Sequence, residues 1–355
     1  MAKYECNHHM KQFLNELPKC EHHLHLEGTL EPNLLFPLAK RNNIKLPSNF
    51  PKTVEELNER YKQFKDLQDF LDYYYIGCNV LINEEDFFDL AWAYFTKAHQ
   101  DGTWHSETFF DPQSHTERGI KIETVVNGFK RASLKAQQEY GMSTNLIMCL
   151  LRHLPSNDGL KTIDSATEFL KDGSIKALGL DSAEKPFPPE LFINCYSKVK
   201  EINPDLELTA HAGEEGDSNY VITALDELKV TRIDHGVNSI QDPKLMERLA
   251  SEKTMLTICP LSNVKLNVVK DVSEIPLNEF LDAQVPFSLN SDDPAYFGGY
   301  ILDNYITVHT RFGWSLETWV KVAKNGVEGS WISKERKIEI NNAIDETYNK
   351  FKPLV

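Results

Sequence analysis

The run LELTAHAGEEG, residues 206–216, places a short apolar segment directly before a histidine and two glutamates. Its first seven residues have the length and composition of a β-strand. Seven similar runs occur along the chain, separated by segments with helical periodicity. They comprise residues 20–26, 103–110, 145–151, 175–180, 231–236, 255–260 and 285–291. Apolar strands that alternate with helices favour a parallel sheet covered on both sides, and eight of them predict an α/β fold of the (β/α)8 TIM-barrel type rather than a six-stranded doubly wound sheet.

The connection between the first two predicted strands is too long for a single crossover. It contains two amphipathic helical segments, residues 54–81 and 84–102. We interpret residues 29–102 as a helical insertion over the mouth of the barrel and as a candidate lid. Because no repeat, low-complexity segment or linker rich in Pro or Gly divides the chain, residues 1–355 are predicted to form a single domain.

The composition narrows the range of partners. The chain has 38 Lys and Arg against 53 Asp and Glu, a formal net charge of -15, which disfavours nucleic acid and anionic membrane surfaces as partners. A small neutral or cationic substrate fits this charge better. The six cysteines are scattered, the N-terminus lacks the apolar core of a signal peptide, and no apolar run approaches the ~20 residues of a membrane helix. These features predict a soluble protein with reduced thiols in the cytoplasm, with the nucleus as an additional compartment.

Polar side chains are concentrated at the carboxyl ends of the predicted strands, where barrel enzymes carry their chemistry. The set comprises His23, His25 and Glu27 at the first strand, His211 and Glu214 at the fifth, His235 at the sixth, and Asp292 and Asp293 at the eighth. Because side chains alternate along a strand, His23 and His25 point the same way. Three histidines and a carboxylate suit a zinc ion and leave one position for water. The set therefore predicts a metal site that generates hydroxide at neutral pH.

Single members of this set have simpler explanations. His211 alone could be a buried core histidine, and Asp292 and Asp293 precede a proline in a pattern common in turns. The shared position of all these groups at strand ends is what favours a metal. Two other zinc patterns are incomplete, because the HSE run at 105–107 lacks a Pro-Cys-x-x-Cys partner and no His-Glu-x-x-His is present.

Four motifs carry a resemblance to a known family. They are HLHLEG (23–28), HAGE (211–214), DHG (234–236) and SLNSDDP (288–294). In these motifs, and in their order, the sequence resembles the adenosine/adenine deaminase family of the amidohydrolase superfamily, and the similarity spans nearly the whole chain. Longer runs are most similar to the fungal adenine deaminase branch. These runs are LPKCEHHLHLEGTLEP (17–32), FFDPQSHT (109–116), LGLDSAEKPFPP (178–189) and NSDDPAYFGGY (290–300).

The resemblance assigns a role to each residue of the set. It implies that one zinc ion per chain is bound by His23, His25, His211 and Asp292, and that His22 is not a ligand. It also implies that Glu214 donates a proton to the purine ring nitrogen beside the amino-bearing carbon. In the same way, His235 orients and deprotonates the water on zinc, and Asp293 hydrogen-bonds the imidazole-ring nitrogen of the purine.

The implied reaction is the hydrolysis of adenine to hypoxanthine and ammonia in purine salvage, with a purine base as the bound small molecule. The alternative is an adenosine deaminase with the same mechanism. Nucleoside deaminases commonly carry Asp at the position of Glu27, which faces the sugar, and a Gly-containing turn where this chain has LDSAEK (180–185). Glu184 is therefore predicted to accept a hydrogen bond from the ring N–H that free adenine has and adenosine lacks; a solvated loop glutamate is the alternative.

Two further classes are less consistent with the sequence. A dinuclear amidohydrolase usually needs a bridging lysine at the end of the fourth strand, where Lys185 comes slightly late. A non-catalytic binding protein on the same scaffold would be expected to lack a ligand or the acid, and the sequence retains all of them.

Overall fold

The computed structural model describes residues 3–65 and 67–354. Within these residues, eight parallel strands form one sheet in the order β1 to β8. The strands are β1 Lys19–Glu21, β2 Thr103–Phe110, β3 Ser143–Leu151, β4 Ala177–Asp181, β5 Glu207–Ala212, β6 Arg232–His235, β7 Met255–Ile258 and β8 Phe287–Leu289. Main-chain hydrogen bonds of 3.0 Å from His25 to Asp292 and from Asp292 to His23 join the ends of β1 and β8. The predicted (β/α)8 barrel is confirmed.

Helices surround the barrel and bury the outer faces of its strands, as expected for a parallel sheet. The helices are α1 His8–Glu16, α2 Pro32–Arg41, α3 Val54–Tyr61, α4 Leu67–Cys78, α5 Glu84–Gln100, α6 Pro112–Thr116, α7 Ile122–Tyr140, α8 Ser156–Lys171, α9 Ile193–Ile202, α10 Ser218–Thr223, α11 Pro243–Glu252, α12 Pro260–Lys265, α13 Leu277–Asp282, α14 Pro294–Phe297, α15 Ile301–Phe312, α16 Leu316–Gly329 and α17 Lys334–Phe351. Every residue of β4, β6, β7 and β8 is buried. Across residues 3–65 and 67–354, each helix is too short or too polar to cross a membrane.

The segment between β1 and β2 is helical, with α2 to α5 in its described part. From α4, Phe70, Tyr74 and Tyr75 reach a cavity at the carboxyl end of the barrel. Aromatic side chains of this segment also pack on α14, where the rings of Tyr61 and Tyr296 have centroids 4.6 Å apart. These contacts place α4 over the strand ends. Its action as a lid, and the assignment of all 355 residues to one domain, stay predictions.

A buried ion pair joins the middle of β2 to the start of β6. The Arg232 guanidinium donates to the Glu107 carboxylate and lies 3.6 Å from the ring centroid of Trp331. Glu107 also accepts from the Trp331 backbone N–H at 2.6 Å and contacts His105 Nε2 at 2.9 Å. Burial alone would raise the pKa of Glu107, but Arg232 and His105 hold it well below its usual range. The HSE run therefore belongs to a structural network.

Glu107→Gln is expected to destabilise the fold, because it leaves the Arg232 charge buried without its carboxylate. Breaking such a pair costs about 3–5 kcal/mol of the free energy of unfolding. Urea denaturation of the variant and the wild type measures the difference. Glu168→Gln is the matched control, since the Glu168 side chain is 88% exposed and its loss should change stability by less than about 0.5 kcal/mol. Equal free energies of unfolding for the two variants would contradict a stabilising role for the Glu107–Arg232 pair.

Candidate active site

Three histidines and one aspartate converge where the barrel closes. His25 Nε2 and His211 Nε2 are 3.3 Å apart, and Asp292 Oδ1 lies 3.3 Å from His23 Nε2 and 3.5 Å from His25 Nε2. Four ligands at about 2.0–2.1 Å from a tetrahedral zinc lie roughly 3.3 Å from one another. His23 Nε2 is buried and makes no hydrogen bond within the described chain. The four side chains therefore fit a single zinc ion.

The second ring nitrogen of each of these histidines faces an oxygen of the protein. The pairs are His23 Nδ1 with Thr257 Oγ1 at 2.8 Å, His25 Nδ1 with Asp181 Oδ2 at 3.5 Å, and His211 Nδ1 with Asp234 Oδ2 at 3.6 Å. Partners of this kind fix the tautomer and ring orientation of metal-binding histidines. The His23 contact is a hydrogen bond and leaves Nε2 of that ring to face the cluster, whereas the carboxylates facing His25 and His211 lie at longer distances.

His22 lies outside this cluster, although it precedes the first of these histidines in the sequence. Its ring nitrogens lie 3.1 Å from Ser288 Oγ and 2.7 Å from Ser330 Oγ, between β8 and the end of α16. Burial lowers the pKa of His22 to about 3, so the ring is neutral. His22 thus fixes the packing of α16 on the barrel and leaves His23 and His25 to face the cluster.

Beside the cluster, a histidine and a glutamate face each other at a distance suited to proton transfer. His235 Nε2 lies 3.3 Å from Glu214 Oε2 and 3.8 Å from Asp292 Oδ2. Both His235 and Asp292 have φ of 64°, a left-handed conformation that non-glycine residues rarely adopt and that is often found at functional sites. Burial lowers the pKa of His235 well below its usual range, which favours the neutral imidazole.

The surroundings of the Glu214 carboxyl group favour its protonated form. Burial raises the pKa of Glu214 well above its usual range, and the charges of Asp292, Glu184 and Glu215 raise it further. Asn263 Nδ2 donates to Glu214 Oε1 at 3.0 Å. Because that bond occupies Oε1, the proton of the acid is directed to Oε2, the oxygen nearer His235. Sequence reasoning missed Asn263, whose only signal was its place in the CPLSN run directly after β7.

Asp293 and Gly28 occupy neighbouring positions. A Cβ atom on Gly28 would come within 2.0 Å of Asp293 Oδ1, so the glycine of the HLEG motif makes room for this carboxyl group. Asp293 Oδ1 is buried and has no hydrogen-bond partner among the described residues. Burial raises the pKa of Asp293 well above its usual range, followed in effect by the charge of Asp292. A protonated Asp293 is able to donate to a ring nitrogen in the cavity.

Glu27 is buried against the loop after β2. Its Oε1 accepts from the Asp111 backbone N–H at 3.1 Å and contacts His115 Nε2 at 2.8 Å. Burial, followed by the charge of Asp111, raises the pKa of Glu27 to about 8. Asp111 lines the cavity and accepts from the Tyr74 hydroxyl of α4 at 2.9 Å. Sequence reasoning missed Asp111. The residue lies within the FFDPQSHT run, but nothing in that run marks it as a residue of the site.

The carboxylate of Glu184 binds the backbone of the loop after β5. It accepts from the N–H groups of Gly213 at 3.0 Å, Glu214 at 2.8 Å and Gly216 at 3.0 Å, and the residue is only 2% exposed. The alternative of a solvated loop glutamate is therefore wrong. The predicted contact of Glu184 with the substrate stays a prediction, since its side chain is outside the lining of the cavity among the described residues.

Six of the predicted residues line one cavity that α4 also contacts. Its polar lining includes His25, His211, Glu214, His235, Asp292 and Asp293, together with Asp111 and Asp181. Phe70, Leu71, Tyr74 and Tyr75 close the opposite side. A flat aromatic ligand would thus lie between aromatic side chains and a wall of carboxyl and imidazole groups.

Comparisons with known proteins agree with this arrangement. The family model for adenosine deaminase matches residues 18–347. The chain is 63% identical over 351 residues to the adenine deaminase of Candida albicans, and the matched region covers 99% of each chain. It is 66% identical over 341 residues to the adenine deaminase of Saccharomyces cerevisiae, covering 96% of this chain and 98% of the relative.

Solved structures show the same fold. The crystal structure of adenine deaminase from Arthrobacter aurescens has a TM-score of 0.88 and 41% identity to this chain, and it covers 94% of this chain and 98% of its own. An amidohydrolase from Burkhoderia ambifaria with bound Zn has a TM-score of 0.89 at 22% identity, covering 99% of this chain and 96% of its own. The second likeness concerns the fold alone.

Proposed function

Because the chain belongs to the adenosine deaminase family, we propose that it is a zinc-dependent adenine deaminase that hydrolyses adenine to hypoxanthine and ammonia. The observation that carries the proposal is the buried Glu214 carboxyl group, whose Oε2 lies 3.3 Å from His235 Nε2 at the edge of the histidine and aspartate cluster. The high identity to fungal proteins named adenine deaminase supports the same reaction. We also propose that the enzyme acts in purine salvage. The proposed location is the cytoplasm, with the nucleus as a second compartment.

The metal of this proposal is one zinc ion per chain, held by His23, His25, His211 and Asp292. The separations of 3.3–3.5 Å for three pairs of ligand atoms, His25 with His211 and Asp292 with each of His23 and His25, support this assignment. Bound zinc supplies a water whose pKa is lowered to about 7.

Proton transfer falls to the residues around the cluster. Adding hydroxide to the amino-bearing carbon requires the electron-rich purine ring to accept electrons, so the adjacent ring nitrogen must be protonated. Glu214, which is kept protonated by burial and neighbouring charge, donates that proton. Neutral His235 takes the proton from the attacking water. Asp293, also kept protonated, donates to the unprotonated imidazole nitrogen and fixes the orientation of the ring.

The proposed substrate is the free base, with adenosine as the alternative. Glu27 has one more methylene than the aspartate of nucleoside deaminases, and its buried carboxyl group bonds to the loop after β2. This position supports exclusion of a sugar from that side of the cavity. The sequence also predicts a contact of Glu184 with the ring N–H as a second source of selectivity, and a comparison of adenine with adenosine in Glu184 variants tests that contact separately. A buried polar mismatch of this kind can discriminate by about 10⁴-fold or more.

An ammonia-release assay tests the metal and the substrate together. We expect turnover of adenine, loss of activity after chelation, and full recovery on adding one equivalent of zinc per chain. Adenosine should react roughly 10⁴-fold more slowly, as judged by kcat/KM. Comparable turnover of the two substrates would overturn the choice of the free base. Activity of the metal-free protein, or a requirement for two equivalents of metal, would overturn the mononuclear site.

A further inference from the structure

Four hydrogen bonds join the loop after β4 to the loop after β5. Three of them end on the Glu184 carboxylate, which accepts from the backbone N–H groups of Gly213, Glu214 and Gly216 at 2.8–3.0 Å. The fourth runs in the opposite direction, from the Glu184 backbone N–H to Glu215 Oε2 at 3.0 Å. Hydrogen bonds to an ionised acceptor are stronger than those between neutral groups, so this reciprocal set fixes one loop against the other.

The two glycines of the GEEG run allow its backbone to wrap around this carboxylate. Gly213 has φ of 78°, a left-handed conformation that glycine adopts without a steric penalty. At Gly216, a Cβ atom would come within 2.5 Å of Glu184 Oε2. Successive backbone N–H groups in such a turn form a concave site for an anion. Here the anion is a side chain of the protein itself.

The other polar groups of Glu214 are also held. Asn238 Nδ2 donates to the Glu214 carbonyl oxygen at 3.0 Å and to the Gly216 carbonyl oxygen at 2.8 Å. Asn263 donates to the side-chain Oε1 at 3.0 Å. The backbone N–H bond to Glu184 completes this set, so Glu214 is fixed at its N–H, its carbonyl oxygen and its carboxyl group. Glu184 and Asn238 both bond to Gly213 and Gly216, on either side of the acid: Glu184 accepts from their N–H groups and Asn238 donates to their carbonyl oxygens.

We propose that Glu184 is a positioning residue for Glu214: it holds the 213–216 backbone so that the carboxyl group of Glu214 stays at its distance from His235 and from the ring of the substrate. The inference rests on the proposed function, because it assigns to Glu214 the role of proton donor. A carboxylate has about four sites for hydrogen-bond donors, and three of them are taken by the loop. Most of the hydrogen-bonding capacity of Glu184 is therefore used to hold the loop of the enzyme rather than to bind the ligand.

The positioning role predicts a loss in kcat rather than in binding. Glu184→Ala removes all three acceptor bonds, whereas Glu184→Gln keeps an oxygen but offers an amide group to N–H donors. A displacement of about 1 Å at a reacting group can lower the rate by about 10²-fold. We expect a fall of that size in kcat for Ala, a smaller one for Gln, a KM for adenine within about threefold of wild type, and one zinc per chain in both. Glu190→Gln, an exposed glutamate in the loop after β4, is the matched control.

A double-mutant cycle with Glu214 separates positioning from a general effect on folding. Because Glu184 acts through Glu214, Glu184→Gln should lower kcat by less than about threefold further once Glu214 has been replaced by Gln. The ratio of kcat/KM for adenine to that for adenosine should match the wild type within the same factor, whereas a contact of Glu184 with the ring N–H would lower it.

Three results would overturn the inference: an unchanged kcat in Glu184→Gln, an undiminished loss in the Glu214→Gln background, or a change confined to KM and the substrate ratio. If Glu184→Ala does not fold, the Gln variant and the cycle still decide the matter. Wild-type protein without activity on adenine would instead reject the proposed function, so the two failures are distinct.

Discussion

Glu214→Gln is expected to keep its zinc and to lose about 10²- to 10⁴-fold in kcat, the range that a positioned acid contributes. The amide preserves the size of the side chain and can still accept from Asn263, but it has no acidic proton. The wild-type carboxyl group is suited to donation because burial and the charge of Asp292 raise its pKa well above the usual range. Without that proton, the purine ring cannot accept electrons from the attacking hydroxide at the same rate.

Steady-state kinetics and metal analysis of the same preparation measure this effect. Glu227→Gln is a suitable control, since Glu227 is exposed on the helical turn after α10 and should leave kcat unchanged. Should Glu214→Gln retain more than about a tenth of the wild-type turnover, a value outside the range for acid catalysis, another group must be the acid.

His211→Ala is expected to abolish both zinc binding and activity. His211 Nε2 lies 3.3 Å from His25 Nε2, so removal of the His211 imidazole takes away one of the ligand atoms that converge on the proposed metal position. A ligand that binds the folded state stabilises it by mass action. Added zinc should therefore raise the Tm of the metal-free wild type and leave that of the variant unchanged.

His22→Gln provides the control for this experiment. His22 is buried near the metal ligands, but it bonds to Ser288 and Ser330 outside the cluster. This variant is expected to lose stability yet to bind one zinc per chain. Stoichiometric zinc in His211→Ala, measured by elemental analysis, would show that the ligand set is wrong.

The fold could be predicted because each strand of a covered parallel sheet is apolar on both faces and short. The residues at which the strands begin and end were less predictable. The first strand was expected over 20–26 but ends at Glu21, because the following residues form single bridges to both neighbours, Leu24 to Asp292 and His25 to Phe109. The seventh was expected to reach Pro260, yet it ends at Ile258 and the proline opens α12.

The convergence of His23, His25, His211 and Asp292 was predictable from the rule that chemistry gathers at the strand ends, since the order of the strands fixes which side chains meet. The supporting residues were not predictable. Asn263 and Asp111 belong to types that are common at the starts of helices and in turns, so only their distances to Glu214 and Tyr74 distinguish them. The bonds of Glu184 depend on the left-handed backbone of Gly213, which no apolar pattern reveals.

The closure of the barrel has a consequence for biosynthesis. Two main-chain bonds between His23 or His25 and Asp292 connect residues more than 260 positions apart in sequence. Contacts of such high sequence separation form late, because the entropy of closing a long loop must be overcome first. A nascent chain still on the ribosome lacks Asp292 until the eighth strand has been synthesised, so the four side chains of the cluster come together only after that point. Loading with the proposed zinc then fastens the first strand to the last and slows the opening of the barrel.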